Sequence, residues 1–264
     1  MRLLWVVMTV LLISAQAFSK EVVEMISPYD TPPFVLDLKK EKGLVFELAA
    51  FLTARSGGKY EFRVAILPRA RLLKTLEKNG VVAVPLVAPK WFEDVSETKY
   101  FWTSAVMDDE NLLLSSRKKP VEFRGMESLK NLKTTVVTGH SMEAVAKLQR
   151  TSGVQAQPTN SLSNGLKMLA HGRIDFVITG RLMAEYLIQD LNLSQSIYIS
   201  DRSVERFERK FLLSKGADKN LQKWLESEVQ RLRRSGEWKK LLGSKLELQD
   251  SQFLVHPKFV GNFL

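Results

Sequence analysis

The chain has 264 residues, no cysteine and a formal net charge of +10. Without cysteine it has no disulfide, thiolate metal site, cysteine nucleophile or lipid-modified cysteine, so apolar burial must stabilise the fold. The first predicted element is a secretory signal peptide over residues 1–17, because Met1-Arg2, an apolar block and Ala15-Gln16-Ala17 follow one another. We therefore expect a periplasmic protein without a nucleic-acid partner. Most of its positive residues should lie on solvated helix faces, and the rest could attract an anionic ligand, a membrane partner or the anionic cell envelope.

The next part of the chain alternates predicted strands and helices. Short apolar or alternating runs predict strands at residues 22–26, 60–66 and 81–87. Apolar residues at helical spacing predict helices at 45–54 and 70–76. Pro85 is expected to break the end of the third strand, because proline cannot donate to a sheet ladder. This alternation predicts a parallel-rich α/β sheet.

Residues 106–115, with an acidic triplet at 108–110, are predicted to join this half to a second one. In that second half, a short helix is predicted at 126–129, and strands are predicted at 134–137, 174–178 and 197–199. Helices are predicted to start near 142 and 162, and a further helix is predicted at 183–191. A strand at 211–213 and an amphipathic helix through 221–232, ended by Ser235-Gly236, follow. A last short helix is predicted at 237–241, and residues 243–264 show no periodicity.

Four short motifs in this order resemble bacterial extracellular solute-binding protein family 3. They are residues 26–34 (ISPYDTPPF), 43–48 (GLVFEL), 172–180 (GRIDFVITG) and 235–238 (SGEW). The resemblance implies the type 2 periplasmic-binding-protein fold, an α/β fold of two lobes, each a mixed, mostly parallel sheet flanked by helices. It also implies two crossings, near 106–111 and 200–206. Lobe 1 would then comprise residues 18–107 and 204–264, and lobe 2 residues 108–203.

A ligand cleft is expected where polar groups follow apolar strands, because ligands of open α/β sheets bind beyond the carboxyl ends of the strands. Residues 138–141 precede a helix whose free amides favour an anionic group, although Thr138 or Ser141 could simply cap that helix. Arg69 and Arg71 could instead face solvent, each aromatic residue could belong to the core, and His140 could be structural or exposed. The candidate ligand-binding residues are Tyr29, Phe34, Arg69, Arg71, Lys90, Trp91, Thr138, Gly139, His140, Ser141, Thr179 and Arg181.

Two positions depart from the pattern of the amino-acid-binding members. Those members carry an arginine in a Thr-Pro-Glu-Arg segment, and residues 88–91 here read Ala-Pro-Lys-Trp. Lys90 could supply a point charge but lacks the planar fork of arginine. The aspartate that meets the ligand ammonium in those members is replaced by Gly180, beside Arg181. We therefore expect a small polar or anionic solute rather than an ordinary α-amino acid.

The leading expectation is a monomeric, non-catalytic receptor, without metal or cofactor, that serves an ABC importer or a membrane sensor. An enzyme resembling cyclohexadienyl dehydratases is an alternative, since one fold hosts several functions. Its candidate carboxylates show no catalytic spacing, and the histidines lie too far apart in sequence to suggest a metal site. A descendant that has lost its solute and binds a protein partner is the third possibility. The residues weighed here are Asp30, Glu93, Asp94, Glu143, His140, His171 and His256.

Overall fold

The computed structural model describes residues 20–78, 80–137, 149–150 and 153–237. Outside these ranges lie the predicted signal peptide, candidate residues 138–141, nearly all of the predicted helix at 237–241, and residues 243–264. No helix among the described residues is long and apolar enough to cross a membrane.

The strands are β1 Glu21–Ser27, β2 Tyr60–Ile66, β3 Val82–Val87, β4 Phe101–Trp102, β5 Met107–Ser116, β6 Lys133–Val137, β7 Gln155–Thr159, β8 Phe176–Gly180, β9 Ile197–Ile199 and β10 Glu205–Leu213. The helices are α1 Leu44–Arg55, α2 Arg69–Leu76, α3 Leu162–Ala170, α4 Arg181–Asp190 and α5 Lys219–Ser235, with 3-10 turns at Pro89–Phe92 and Met126–Leu129.

One mixed sheet runs through both halves of the chain. Its strand order is β2-β1-β3-β10-β5-β8, with β4 added to β10 and β9 added to β5, while β6 and β7 form a separate parallel pair. Strand β1 is parallel to β2 and β3, whereas β10 is antiparallel to β3, β4 and β5. The predicted α/β class is confirmed.

The long strands β5 and β10 connect the two halves of this sheet. Residues 210–213 of β10 pair with β3 and β4, and residues 205–209 pair with residues 107–111 of β5. Residues 111–116 of β5 then pair with β8 and β9. We call β1–β4 with residues 210–213 the first half-sheet, and β8 and β9 with residues 111–116 the second half-sheet. The segment where β5 and β10 pair lies between them.

Each half-sheet has its own apolar core. In the first, α5 buries Leu221, Leu225, Val229 and Leu232 at helical spacing. In the second, Leu166 of α3 and Leu187 of α4 pack on Leu112 and Leu114 of β5. Leu182, at the start of α4, belongs to the core cluster of the first half-sheet. The start of α4 therefore lies where the two halves meet.

Strand β3 differs from its predicted form. It continues through Pro85 to Val87, so the expectation that proline breaks its end is wrong. The pairing with β1 nevertheless covers only Val82 and Ala83, and the pairing with β10 shifts register between Lys210 and Leu212. The proline therefore lies where the ladder is irregular and does not require its amide hydrogen.

Candidate functional site at the junction of the half-sheets

A buried arginine occupies the junction of the two half-sheets. Arg209 of β10 is 1% exposed, and its Nε donates to Oδ2 of Asp109 at 2.6 Å. Its Nη1 donates to the carbonyl oxygen of Leu86 at 2.6 Å and to the hydroxyl of Tyr29 at 3.0 Å. Asp109 lies on β5, the other connecting strand, so the ion pair joins both strands that link the halves.

Four aromatic rings surround the Arg209 guanidinium, and we call them the aromatic box. The distances from Cζ to the ring centroids are 5.5 Å for Tyr29, 5.2 Å for Phe34, 5.4 Å for Trp91 and 5.3 Å for Phe207. Tyr29 and Phe34 stack at 4.2 Å, and Trp91 meets Phe207 edge-on at 5.0 Å. Aromatic faces attract cations within about 6 Å of the ring centroid. The box and Asp109 together therefore form a cation site, filled by the chain's own side chain.

The charge of this internal cation is secure. Burial alone would lower the pKa of Arg209, but the Asp109 charge and the hydrogen bonds to Asp109 and to the Tyr29 hydroxyl raise it. Burial raises the pKa of the Tyr29 phenol, although the neighbouring guanidinium acts in the opposite direction. Tyr29 is therefore a neutral hydroxyl and Arg209 a cation throughout the physiological pH range.

Gly180 lies directly beside the guanidinium. It ends β8 and is the N-cap of α4. A Cβ atom at this position would lie 3.3 Å from Nη2 of Arg209, 3.5 Å from Oδ2 of Asp109 and 3.6 Å from Cε of Met183. A methyl group would touch all three atoms, and an aspartate side chain would have no room unless Arg209 moved.

Arg181, the next residue, is bound in ion pairs. It donates to Oε1 of Glu110 and, at 2.8 Å, to Oε1 of Glu185. Glu110 is 5% exposed and also pairs with Arg206 at 3.3 Å. Burial alone would raise the pKa of Glu110, but the Arg181 hydrogen bond and charge lower it. Burial does raise the pKa of Glu185, against the effect of Arg181. Arg181 is therefore not the free positive charge that its sequence position indicated.

Lys90 is also paired. Its Nζ lies 2.5 Å from Oε1 of Glu205 on β10 and 4.7 Å from the centroid of the Phe207 ring. It stands at the edge of the aromatic box, next to Trp91, where the segment after β3 turns. The lysine charge at this edge is thus balanced by a carboxylate on a connecting strand.

The remaining candidates are spread more widely. Thr179 is buried within β8 and pairs with Leu112. Arg69 and Arg71 are exposed on α2, and the Arg69 guanidinium lies 5.2 Å from the Phe92 ring. The structure thus brings Tyr29, Phe34, Lys90, Trp91 and Arg181 to the junction, leaves the α2 arginines at the surface, and does not describe residues 138–141. Sequence reasoning missed Arg209, Asp109, Phe207 and Glu110.

The other carboxylates named above do not form a catalytic group in the described part of the chain. Asp94 accepts hydrogen bonds from the amides of residues 98–100 and from the Trp102 indole at 2.7 Å. Burial alone would raise the pKa of Asp94, but these hydrogen bonds lower it. Asp30 and Glu93 are exposed, as is His171. Within the described residues, no group of His, Cys, Asp or Glu could hold a metal ion.

Comparisons with known proteins identify the fold. No protein-family model and no curated protein matches the chain. An ancestral arginine-binding protein bound to arginine superposes with a TM-score of 0.65 at 16% identity, covering 86% of this chain and 98% of that one. The fold is that of the type 2 periplasmic binding proteins. This confirms the predicted fold class.

Two further matches to this fold come from different functional settings. A structure that concerns glutathione import in Gram-positive bacteria, via GshT and the cystine ABC importer TcyBC of Streptococcus mutans, has a TM-score of 0.67 at 18% identity. The match covers 86% of this chain and 95% of that one. The ancestral amino-acid-binding protein AncCDT-1, a precursor of cyclohexadienyl dehydratase, has a TM-score of 0.63 at 18% identity, covering 85% and 95%. At these identities the similarity concerns the fold, and the ligand must be argued from the site.

Proposed function

We propose that this chain is a periplasmic solute-binding protein that takes up a small polar or anionic solute at the junction of its half-sheets. It serves an ABC importer or a membrane sensor as a monomer. The two lobes are residues 18–107 with 204–264, and residues 108–203. The fold supports this proposal, as do two connecting strands and a set of polar and aromatic side chains where those strands meet. Hinge closure around a ligand is the usual motion of such proteins.

We infer the class of solute from the buried guanidinium of Arg209. The Arg209 guanidinium already occupies the aromatic box and uses the Asp109 carboxylate. The carboxylate that a ligand ammonium would need is paired with Arg209, and the guanidinium lies against all four rings of the aromatic box. Removing one partner of a buried ion pair costs about 3–5 kcal/mol, and each 1.4 kcal/mol is about tenfold in affinity. An ordinary α-amino acid that had to displace Arg209 would therefore lose more than about two orders of magnitude in affinity.

The alternatives have less support at the junction. General acid–base catalysis needs a carboxyl group that can exchange a proton with a substrate. Among the described residues there, Asp109 and Glu110 are held by arginines, and Glu185, whose pKa is raised by burial, has Arg181 rather than a second carboxyl as its partner. The likeness to a dehydratase precursor is one of fold. A descendant that binds only a protein partner would show no response to small solutes, so one experiment separates it from the receptor.

The test is a thermal-shift screen of the mature chain against organic mono- and dicarboxylates, neutral amides and sugars, polyamines and amino acids. A ligand bound only by the folded state raises the melting temperature by mass action. We expect shifts from carboxylates or neutral solutes, and a weaker affinity for the same solute in Trp91→Leu. Phe101→Leu is the control, because Phe101 is a half-buried aromatic of β4 outside the aromatic box. A screen without any shift, or with shifts from zwitterionic amino acids alone, would refute the proposal.

A further inference from the structure

A groove runs along the exposed face of α3, and none of its lining residues belongs to the junction described above. It is walled by the end of β7, by α3 and by the turn that follows α3. Its volume is about 420 Å³, and small-molecule sites usually measure about 300–1,000 Å³. The groove is therefore large enough for a small ligand or for one chemical group of a larger ligand.

The spacing of residues in α3 places polar side chains along this groove. The leucines of α3 pack into the core of the second half-sheet. Asn164, Lys167 and His171 are exposed and lie three and four residues apart, so they follow one another on the opposite face. Ser161 caps the helix by accepting a hydrogen bond from the Asn164 amide at 3.2 Å. The groove therefore offers side chains to a ligand and does not depend on free amides at the helix end.

The turn that ends α3 adds Arg173 to the groove. Gly172 has a φ of +69°, its amide donates to the Leu169 carbonyl at 3.0 Å, and the Arg173 amide donates to the Met168 carbonyl at 2.9 Å. These two bonds around a left-handed glycine are the Schellman pattern, which folds the chain back against the last turn of the helix. Arg173 consequently lines the groove together with Met168 and His171.

The ring of His171 has a fixed orientation. Its Nδ1 lies 2.7 Å from the carbonyl oxygen of Lys167. A carbonyl oxygen only accepts, so Nδ1 carries the hydrogen of this bond. Nε2 is then the ring nitrogen that remains for a ligand. It accepts from a protonated ligand oxygen when the ring is neutral and donates when the ring is charged.

The charge of the groove is positive and locally unbalanced. No Asp or Glu among the described residues lines it. Asp175, the nearest carboxylate in the sequence, is bound by Nζ of Lys119 at 2.8 Å and by the Lys133 amide at 2.8 Å. In the part of the chain that the structure describes, neither Lys167 nor Arg173 forms an ion pair, whereas the arginines of the junction all do.

The helix dipole accounts for only part of this arrangement. Positive side chains near the last turn of a helix are stabilised by the partial negative charge of its free carbonyl groups. Arg173, however, lies beyond the end of α3, and basic groups one turn apart, such as Lys167 and a charged His171, repel one another. An anion held among the three side chains offsets that repulsion.

We propose that this groove binds a phosphate group, at a site additional to the solute site of the proposed function. Lys167 and Arg173 supply two positive charges, and the planar fork of Arg173 fits two phosphate oxygens. Asn164 and Nε2 of His171 bond to the remaining oxygens. A phosphate monoester carries about 1.5 to 2 negative charges at pH 7 and three strong acceptor oxygens. It therefore matches these four side chains better than a carboxylate, which has one charge and two oxygens.

The phosphate belongs to a soluble ester or to the headgroup of an envelope lipid, since both present the same oxygens. The first arm of the test titrates inorganic phosphate, glycerol 3-phosphate and acetate, at one ionic strength, into the isotope-labelled mature chain. The ring resonances of His171 and the guanidinium resonance of Arg173 are followed by NMR. The second arm measures co-sedimentation with phosphatidylcholine vesicles that contain or lack phosphatidic acid. Saturable binding of the soluble phosphates identifies a soluble ester, and binding to phosphatidic acid alone identifies a lipid headgroup.

The double variant Lys167→Gln/Arg173→Gln should weaken phosphate binding at least tenfold in whichever arm shows it. Lys223→Gln/Arg234→Gln is the matched control, because it also removes two exposed positive charges, one of them in the last turn of α5. This control should stay within about twofold of wild type, because charge-assisted bonds to phosphate act only at contact distance. Arg173→Lys keeps the charge without the fork and should weaken binding less than Arg173→Gln.

Three results would overturn the phosphate site. One is the absence of saturable binding in both arms, which would leave the helix dipole as the whole explanation of these residues. Another is acetate binding as tight as that of phosphate. The third is an equal loss of binding in the groove variant and in the α5 control, which would show a response to net charge alone.

Discussion

Replacing Asp109 with asparagine tests whether the Arg209 ion pair holds the connecting strands together. The two side chains are 1% and 2% exposed, and Nε lies 2.6 Å from Oδ2. The substitution removes the carboxylate charge, and the asparagine Oδ1 can accept from Nε of Arg209 or from the Glu110 amide but not from both, because the other terminal atom is now an NH2 donor. Losing one partner of such a pair costs about 3–5 kcal/mol. We expect Asp109→Asn to lower the free energy of unfolding by about 3 kcal/mol, since the remaining hydrogen bonds and the aromatic box still stabilise the cation.

A double-mutant cycle separates the pair from its surroundings. Arg209→Met should cost a similar amount, because it leaves the Asp109 carboxylate with the Glu110 amide as its hydrogen-bond donor. The double variant Asp109→Asn/Arg209→Met should lie closer to wild type than the sum of the single variants by at least about 2 kcal/mol. The measurement is urea unfolding followed by circular dichroism and tryptophan fluorescence, with the midpoint compared at unchanged slope. Single variants that cost less than about 1 kcal/mol, or strictly additive effects, would refute this reading of the junction.

Three further predictions concern pH, backbone conformation and charge pairing. Hydrogen bonds outweigh burial and lower the pKa of Asp94. The ionised Asp94 carboxylate therefore stabilises the fold above about pH 4, and this contribution is lost as the pH falls. Asp94→Asn should flatten the decline of the urea midpoint between pH 5 and 2.5. Gly43→Ala should cost more than about 2 kcal/mol, because φ is +127° and the new Cβ would lie 2.5 Å from a carbonyl oxygen, whereas Gly57→Ala, with open space around it, should cost about 1 kcal/mol in the same assay. Arg181→Met leaves the buried Glu110 with one arginine, Arg206, at 3.3 Å, so it should lower the thermal midpoint of unfolding. The solute affinity, measured by calorimetry, should stay within about threefold of wild type. A loss of affinity without a loss of stability would instead make Arg181 a ligand contact.

Much of the fold follows from local patterns in the sequence. The alternation at Tyr60–Ile66 and the spacing of Leu221, Leu225 and Val229 are properties of one segment, and the structure has a strand and a helix there. Strands β4 and β7 were missed for a physical reason. Phe101–Trp102 spans two residues, and Gln155–Thr159 is mostly polar and exposed, so each is a strand only through its partner.

In the candidate site, too, some features follow from the local sequence and others depend on the tertiary structure. The sequence by itself determined the loops that follow the strands, the aromatic residues Tyr29, Phe34 and Trp91, and the unusual glycine at 180. Only the tertiary structure decided that Arg209 fills the space among them, because its partner Asp109 lies 100 residues away in the chain. The antiparallel register of β5 and β10 brings the two together, and register depends on packing across the whole sheet. No local pattern contains that information, so the glycine had a physical explanation only once the strands were paired.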